Sequence, residues 1–328
     1  MRILSGIQPS GRPHLGNYFG ALRQYISLQA GNESFYFIAS YHALTAVQDP
    51  ALLREYTQGV ALDFLALGLD PEVTTLFAQQ DVPEVTELTW ILSCVTPMGL
   101  LERAVSYKDK IAQGLSPNHG LFAYPVLQAA DILIYRSNLV PVGQDQKQHI
   151  EITRDLAGKF NQQFGEVFVI PEEYILDTTA VVPGIDGRKM SKSYGNEIGI
   201  FEEGSALKKK VMSIVTDSAP VEEPKDPQTS TPFQLLKLLA SPEETAEWEA
   251  RYKAGGMGYG DVKKRLLTLI DQTFAPFRER RRELQADPGY VMDVLADGGQ
   301  RARAVAQEVM HQVRAATGLP ATYDGGWR

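Results

Sequence analysis

Apolar residues fall along this chain in two rhythms. Short, nearly continuous runs rich in β-branched and aromatic residues occupy positions 2–7 (RILSGI), 34–40 (SFYFIAS), 73–79 (VTTLFAQ) and 138–143 (NLVPVG). That pattern predicts strands buried on both faces. Between them, at 14–29, 50–69, 83–95 and 120–136, apolar positions recur every three or four residues, the repeat of helices with one covered face. Strand and helix taking turns predicts an α/β fold built on a parallel, doubly wound sheet, whose ligands bind beyond the carboxyl ends of the strands. After residue 187 the rhythm changes. A stretch rich in proline and charge at 217–232 reads as a loop, and 233–240, 242–254, 260–284 and 298–319 carry helical periodicity alone, so a second, all-helical domain is expected there.

Composition agrees with two packed units. The 328 residues exceed what one core usually holds, and 44% hydrophobic with 22% charged residues is ordinary for a globular protein. The single cysteine, Cys94, rules out an internal disulfide or a thiolate metal cluster and is expected to be a small buried hydrophobe. The N-terminal MRILSGIQPSG lacks the apolar core of a secretory signal, and no apolar run is long enough to span a bilayer, so a reducing cytoplasm is the expected compartment. A net charge of -8 excludes a surface that is basic throughout, though not a local basic patch. Lys208–Lys210 in LKKKV, and Arg278 with Arg280–Arg282 in RERRR, are the two candidates for contacts to nucleic-acid phosphates.

Two loops carry the candidate chemistry. In SGIQPSGRPHLGNYFGAL the spacing of Gly6 and Gly11 is that of a phosphate-binding loop, but Arg12-Pro13 stands where the lysine and hydroxyl of that loop belong. Instead His14, Gly16 and Asn17 open a helix directly after the first strand. Free N–H groups and partial positive charge at a helix start suit a phosphate; His14 can donate to it, and Gly16 lets a flat base approach the backbone. The second loop, DGRKMSKSYGN at 186–196, sets Lys189 and Lys192 three residues apart among glycine, serine and asparagine, where nothing apolar repeats. HLGN and KMSKS, in this order and separation, resemble the two signature motifs of class I aminoacyl-tRNA synthetases. The resemblance implies a Rossmann-like catalytic domain that joins an amino acid to AMP using ATP and then passes it to tRNA. Lysines on a mobile loop would close on the departing pyrophosphate as its charge develops.

The amino acid is addressed by a third stretch. GLFAYPVLQAADILIY places Tyr124, Gln128 and Asp131 on one face of an otherwise apolar helix. A carboxylate there needs a partner, either a structural N–H or a polar hydrogen on an aromatic substrate, an indole N–H or a phenol O–H. Together with SGIQPSG and LVPVGQDQKQHIEITRDLAGKFN at 139–161, this helix closely resembles the bacterial tryptophanyl-tRNA synthetases, over nearly the whole chain. The resemblance implies that Asp131 accepts the indole N–H, that Tyr124 and Gln146 hold the ammonium and carboxylate end, and that Leu4, Gln128, Val140 and Val142 line the slot with His42 nearby. It further implies that Gln8, Ser10, Gly11, His14, Gly16, Asn17, Gly143, Asp145, Met190, Ser191 and Ser193 serve ATP, and that Lys108 and Lys110 join Lys189 and Lys192 as the catalytic cations. Mg²⁺ would travel as MgATP, with no side-chain metal ligands and no tightly bound cofactor.

Three positions depart from the family pattern: Gln128 where methionine is common, Ser40 for aspartate and Gln144 for glutamate. Gln128 also brings the helix nearer to tyrosyl-tRNA synthetases, against which stand the SGIQPSG opening, the VPVGxDQKQH run and the lack of an extra C-terminal RNA-binding domain. Tryptophan is the favoured substrate. A tyrosine enzyme and a non-catalytic RNA- or protein-binding paralogue are the alternatives, with an unrelated nucleotidylyl transferase of the same fold as a third. By resemblance, residues 1–187 form the domain that binds ATP and the amino acid, 188–293 read the tRNA anticodon, and the last helix, within 294–328, packs back on the first domain. The expected partners are tRNA(Trp), tryptophan and ATP, with no membrane, in a homodimer that one tRNA spans.

Overall fold

A computed structural model of the chain describes residues 1–104, 118–143, 146–175 and 182–319. Five parallel strands, β1 (Arg2–Ile7), β2 (Glu33–Ile38), β3 (Thr74–Ala78), β4 (Leu139–Val142) and β5 (Glu172–Ile175), form one sheet in the order β3-β2-β1-β4-β5. The chain steps outward from β1 to β3, then returns to the other side of β1 with β4. This reversal places a topological switch point between the carboxyl ends of β1 and β4, where doubly wound sheets open a crevice.

Strict alternation along β2 shows why its sequence run is unbroken. Phe35 and Phe37 enter one apolar cluster with Leu4, Phe77, Leu88, Leu133, Val140 and Phe160, whereas Tyr36 and Ile38 enter the cluster on the opposite face with Leu15, Val60, Phe64 and Leu76. The first face is covered by α4 (Glu84–Val95), α6 (His119–Leu133) and α7 (Lys147–Phe164), with the short α5 (Met98–Glu102) beside them. The second is covered by α3 (Pro50–Ala66) and by α1, a helical run over 15–28 with a π-helical middle at Tyr18–Leu22. α2 (Ser40–Ala43) is a single turn after β2. Asp49 starts α3 by accepting from the N–H groups of Ala51 and Leu52, ahead of a proline at the first helical position.

The helical region comprises α8 (Gly204–Met212), α9 (Thr231–Lys237), α10 (Pro242–Ala254) and α11 (Tyr259–Ala286). Its Phe233, Leu236, Tyr252, Leu266, Ile270 and Phe274 continue the apolar cluster of the second sheet face. Phe274 meets Tyr18 of α1 edge-on at 5.0 Å. α12 (Pro288–Thr317) lies along β3 and α4, where Ala302, Ala306, Val309 and Met310 enter the cluster of the first face. Its approach is close. A Cβ on Gly298 would fall 1.8 Å from the Leu76 carbonyl oxygen. Arg303 donates to Glu84 and Arg314 to Glu87, both at 2.8 Å, tying α12 to α4.

Several expectations need correction. The sequence pattern begins the last helix at 298, but Asp287 caps it and Pro288 starts it ten residues earlier; the Gly298-Gly299 pair, weak in helix propensity, hides the continuity. β5 lacks the apolar run of the other strands because it is a half-exposed edge, guarded by Glu172 and Glu173. Cys94 is exposed, since the buried face of α4 is Val85, Leu88, Ile91 and Leu92, and Cys94 points with the exposed Trp90 to the other side. The arginines of RERRR are not a bare patch. Arg278 and Arg281 are buried in ion pairs with Asp271 and Asp63, while Arg280 and Arg282 are held by Glu283, Glu279 and Glu203. Lys210 pairs with Glu202, which leaves Lys208 and Lys209 exposed. Among the described residues, no helix is long and apolar enough to cross a membrane.

Candidate active site

The loop after β1 leads into α1, and His14 caps that helix. His14 Nδ1 accepts from the Asn17 N–H at 3.3 Å while Asn17 Oδ1 accepts from the His14 N–H at 3.1 Å, a reciprocal cap. Burial, and then the Lys192 charge, push the imidazole down to about 4. The ring is therefore neutral near pH 7, and because Nδ1 accepts, the proton sits on Nε2, which is left to donate. The segment following the second motif pairs with this cap: Leu15 N–H donates to Ile198 O at 2.9 Å, Ile200 N–H donates to Pro13 O at 3.3 Å, and His14 opposes Gly199 in an antiparallel bridge. A Cβ on Gly16 would come within 2.9 Å of the His14 ring, so glycine here lets that ring fold over the helix start, with Met190 packed alongside.

The lysine loop is a folded turn rather than a loose run. Asn196, buried, accepts from the Ser191 N–H at 2.8 Å and donates to Asp186 at 2.7 Å and to Lys189 O at 3.1 Å. Ser191 and Ser193 hydroxyls lie 2.8 Å apart, and Met190 is buried. Lys192 reaches back across the cleft to donate from Nζ to Ser10 O at 2.8 Å, beside Gly11, whose φ of +89° suits glycine. Lys189 lies exposed, outside the cavity lining that Lys192 joins. The two lysines of the motif thus differ in place, Lys192 reaching across the cleft and Lys189 facing outward.

At the switch point opens a cavity of about 660 Å³. Leu4, Gly6 and Gln8 from β1 and its loop, Val140 and Val142 from β4 with Gly143 just after it, and Tyr124, Gln128 and Asp131 from α6 line it, with His42 and Gln146. Every residue expected for the amino-acid slot is brought together here. Gln8, Ser10, Gly11, Asn17 and Lys192 line an adjoining cavity of about 140 Å³, and Gln8 borders both. His14, Gly16, Met190, Ser191 and Ser193 are in neither lining. Asp145, Lys108, Lys110 and Gln144 lie outside the described residues.

Asp131 is buried on the floor of the larger cavity. Burial raises its carboxyl above the usual range, opposed by hydrogen bonds from His42 and Gln79. His42 Nε2 donates to Oδ2 at 2.7 Å, and Gln79 Nε2 donates to Oδ1 at 2.8 Å and Oδ2 at 3.0 Å. On the other wall Tyr124 Oη lies 2.9 Å from His149 Nε2, His149 Nδ1 donates to Gln146 Oε1 at 3.0 Å, and Gln128 Nε2 approaches the same oxygen at 3.5 Å. Gln128 thereby adds a polar contact that methionine could not make. Ser40, another departure, hydrogen-bonds Gln80. Sequence reasoning missed Gln79 and His149. Gln79 follows β3 directly, and its place at a strand carboxyl end is the one sequence cue that bears on it. Among the described residues no cluster of His, Cys, Asp and Glu could hold a metal ion.

A further ion pair sits behind the small cavity. Arg281 Nε donates to Asp63 Oδ1 at 2.7 Å, joining α11 to α3, and the guanidinium lies over Phe201 at 5.0 Å. Burial raises Asp63 to about 6 despite Arg281, Arg12 and Lys192 nearby.

Residues 1–275 match the family model described as tRNA synthetases class I (W and Y). The chain belongs to this family. It is 57% identical to the tryptophan–tRNA ligase of Rhodopirellula baltica, over 97% of this chain and 100% of that protein, and 53% identical to that of Fusobacterium nucleatum, over 97% and 98%. The solved tryptophanyl-tRNA synthetase of Campylobacter jejuni, complexed with ADP and tryptophan, superposes with a TM-score of 0.92 at 49% identity, covering 97% of this chain and 100% of that one. Family membership accounts for the fold class: a Rossmann-like parallel sheet with the two signature motifs at its switch point.

Proposed function

We infer that this chain activates tryptophan with ATP and transfers it to tRNA. The observation that carries the reading is the pairing of an aromatic-sized cavity, floored by the buried Asp131, with a cation from a segment 182 residues away that closes on the neighbouring loop at Ser10. In the first step the tryptophan carboxylate oxygen bonds to the α-phosphorus and the bond to pyrophosphate breaks. In the second a terminal ribose hydroxyl of tRNA attacks the adenylate carbonyl, its proton departs, and AMP leaves.

The roles proposed are those the family resemblance implies, and the clustering of Asp131, Tyr124, Gln146, Val140 and Val142 around one cavity supports the tryptophan side of them. Asp131 accepts the indole N–H, Tyr124 and Gln146 hold the ammonium and carboxylate end, and Val140 and Val142 fix the ring plane. Neutral His14 donates from Nε2 to a phosphate oxygen. Lys192, now on a backbone carbonyl, exchanges that neutral acceptor for the pyrophosphate, an interaction that strengthens as the leaving group gains charge. Lys189, Lys108 and Lys110 join it, with Asp145 on the nucleotide side, and Mg²⁺ enters on the ATP phosphates. Residues 188–293 take the tRNA anticodon, with Lys208 and Lys209 as phosphate contacts. The enzyme works as a cytoplasmic homodimer.

ATP–pyrophosphate exchange with tryptophan, tyrosine and phenylalanine tests the reading. Exchange is expected with tryptophan and at most weakly with the others; faster exchange with tyrosine rejects it.

A further inference from the structure

Gln79 belongs to no part of the scheme above, yet it makes as many polar contacts with Asp131 as any side chain. Both residues are 2% exposed. The amide of Gln79 has one orientation only, because its Oε1 accepts from the backbone N–H groups of Tyr41 at 2.9 Å and His42 at 3.4 Å. A flipped amide would set donor against donor there, so the NH₂ group must face Asp131, where it meets both carboxylate oxygens. The backbone held by Oε1 is the first turn of α2, which carries His42, the second donor to Asp131. One glutamine therefore fixes both the carboxylate and the histidine that shares it.

Counting acceptor sites gives the consequence. An ionised carboxylate offers about four lone-pair positions. His42 and Gln79 occupy both on Oδ2, and Gln79 occupies one on Oδ1, which leaves Oδ1 to accept one further hydrogen. Burial raises the carboxyl towards the neutral acid, and the donors, His42 ahead of Gln79, pull it back towards the charged form. The difference matters for selection. A carboxylate can only accept, and so demands an N–H, whereas a protonated acid can donate and would tolerate a ring atom without hydrogen.

We propose that Gln79 is the positioning residue for substrate selection: it aims one Asp131 oxygen into the cavity and keeps it a pure acceptor, so that the slot requires a ring N–H. This rests on the tryptophan reading above. The probe is 3-benzothienylalanine, which has the shape of tryptophan with sulfur in place of the ring N–H. A site built around that bond can reject such an analogue by about 10⁴ to 10⁵ in kcat/KM.

The test compares kcat/KM for tryptophan and the sulfur analogue, by ATP–pyrophosphate exchange, in wild type, Gln79→Met and Gln79→Glu. Met keeps the volume without hydrogen bonds; Glu keeps the acceptor for Tyr41 and His42 but sets a second carboxyl against Asp131. In both variants the tryptophan-to-analogue ratio is expected to shrink at least tenfold, mainly through a raised KM for tryptophan. A ratio that stays at its wild-type value, while activity toward both substrates falls by one factor, overturns the proposal and leaves Gln79 a structural residue. Should Gln79→Met not fold, the ratio in Gln79→Glu decides alone. Failure of the wild-type enzyme to use tryptophan at all would instead refute the reading beneath the proposal.

Discussion

Replacing Gly298 by alanine sets two effects of opposite sign against each other, and the structure decides between them. Inside an exposed helix, alanine is favoured over glycine by about 1 kcal/mol. At Gly298 the new Cβ would lie 1.8 Å from Leu76 O, 2.7 Å from Leu76 C and 3.3 Å from Leu76 N. An ordinary carbon–oxygen approach is about 3.3 Å or more. No rotamer relieves the clash, because every atom met is backbone of the buried strand β3. α12 must therefore lift, loosening Ala302, Ala306 and Val309 in the core and the Arg303–Glu84 contact. Overpacking of this kind costs about 1–3 kcal/mol or more. Since relief requires moving a whole helix, the upper end applies, and the net expectation is a loss of about 2 kcal/mol. Gly158, in α7, is the control: a Cβ there meets nothing within 4 Å, so Gly158→Ala should gain up to about 1 kcal/mol. Urea unfolding at one fixed protein concentration, followed by circular dichroism, measures both. A Gly298→Ala protein as stable as wild type, or more so, would refute the packing argument.

Three further outcomes follow from the site. Lys192→Ala should slow adenylate formation with little change in tryptophan affinity, because its contact strengthens only as charge develops; a shift confined to the tryptophan dissociation constant would remove that role. His14, held neutral by a value of about 4, should add no ionisation to the exchange rate between pH 5.5 and 8, so a limb near 6.5 that disappears in His14→Gln would show the ring to be charged where it is taken as neutral. Asp63→Asn leaves Arg281 buried and unpaired and should cost about 3–5 kcal/mol, whereas Asp63→Leu with Arg281→Met should be nearly neutral.

Strand positions were legible where burial on both faces forces an unbroken apolar run, as in β2, and illegible in β5, whose exposed edge imposes no such pattern. The slot residues were legible because α6 carries them at helical spacing on one face and the β4 segment holds a recognisable motif. Gln79 was not, since a lone glutamine after a strand has no periodic signature and its importance arises only when β3 meets α2 and α6. Charge was the least reliable guide. RERRR reads as a patch along the chain, but α11 turns two of its arginines into the interior, where Arg278 meets Asp271 of the same helix and Arg281 meets Asp63 of the distant α3. Asn196 likewise acquires its place only through Ser191, Asp186 and Lys189 folding around it.

The order of strands shapes how the chain must be born. β1 to β3 leave the ribosome early and pair in sequence, but the β1 register is completed only when Leu139 meets Ile3, and the Leu76 backbone meets α12 only when Gly298 arrives. At about 5–20 residues per second, the 222 residues between the last two emerge over roughly 10–45 s. During that interval the nascent sheet presents an apolar flank to its surroundings. Holding it apart from other unfinished chains until α12 docks is a task for chaperones, and slow translation of the final helix would lengthen the exposure.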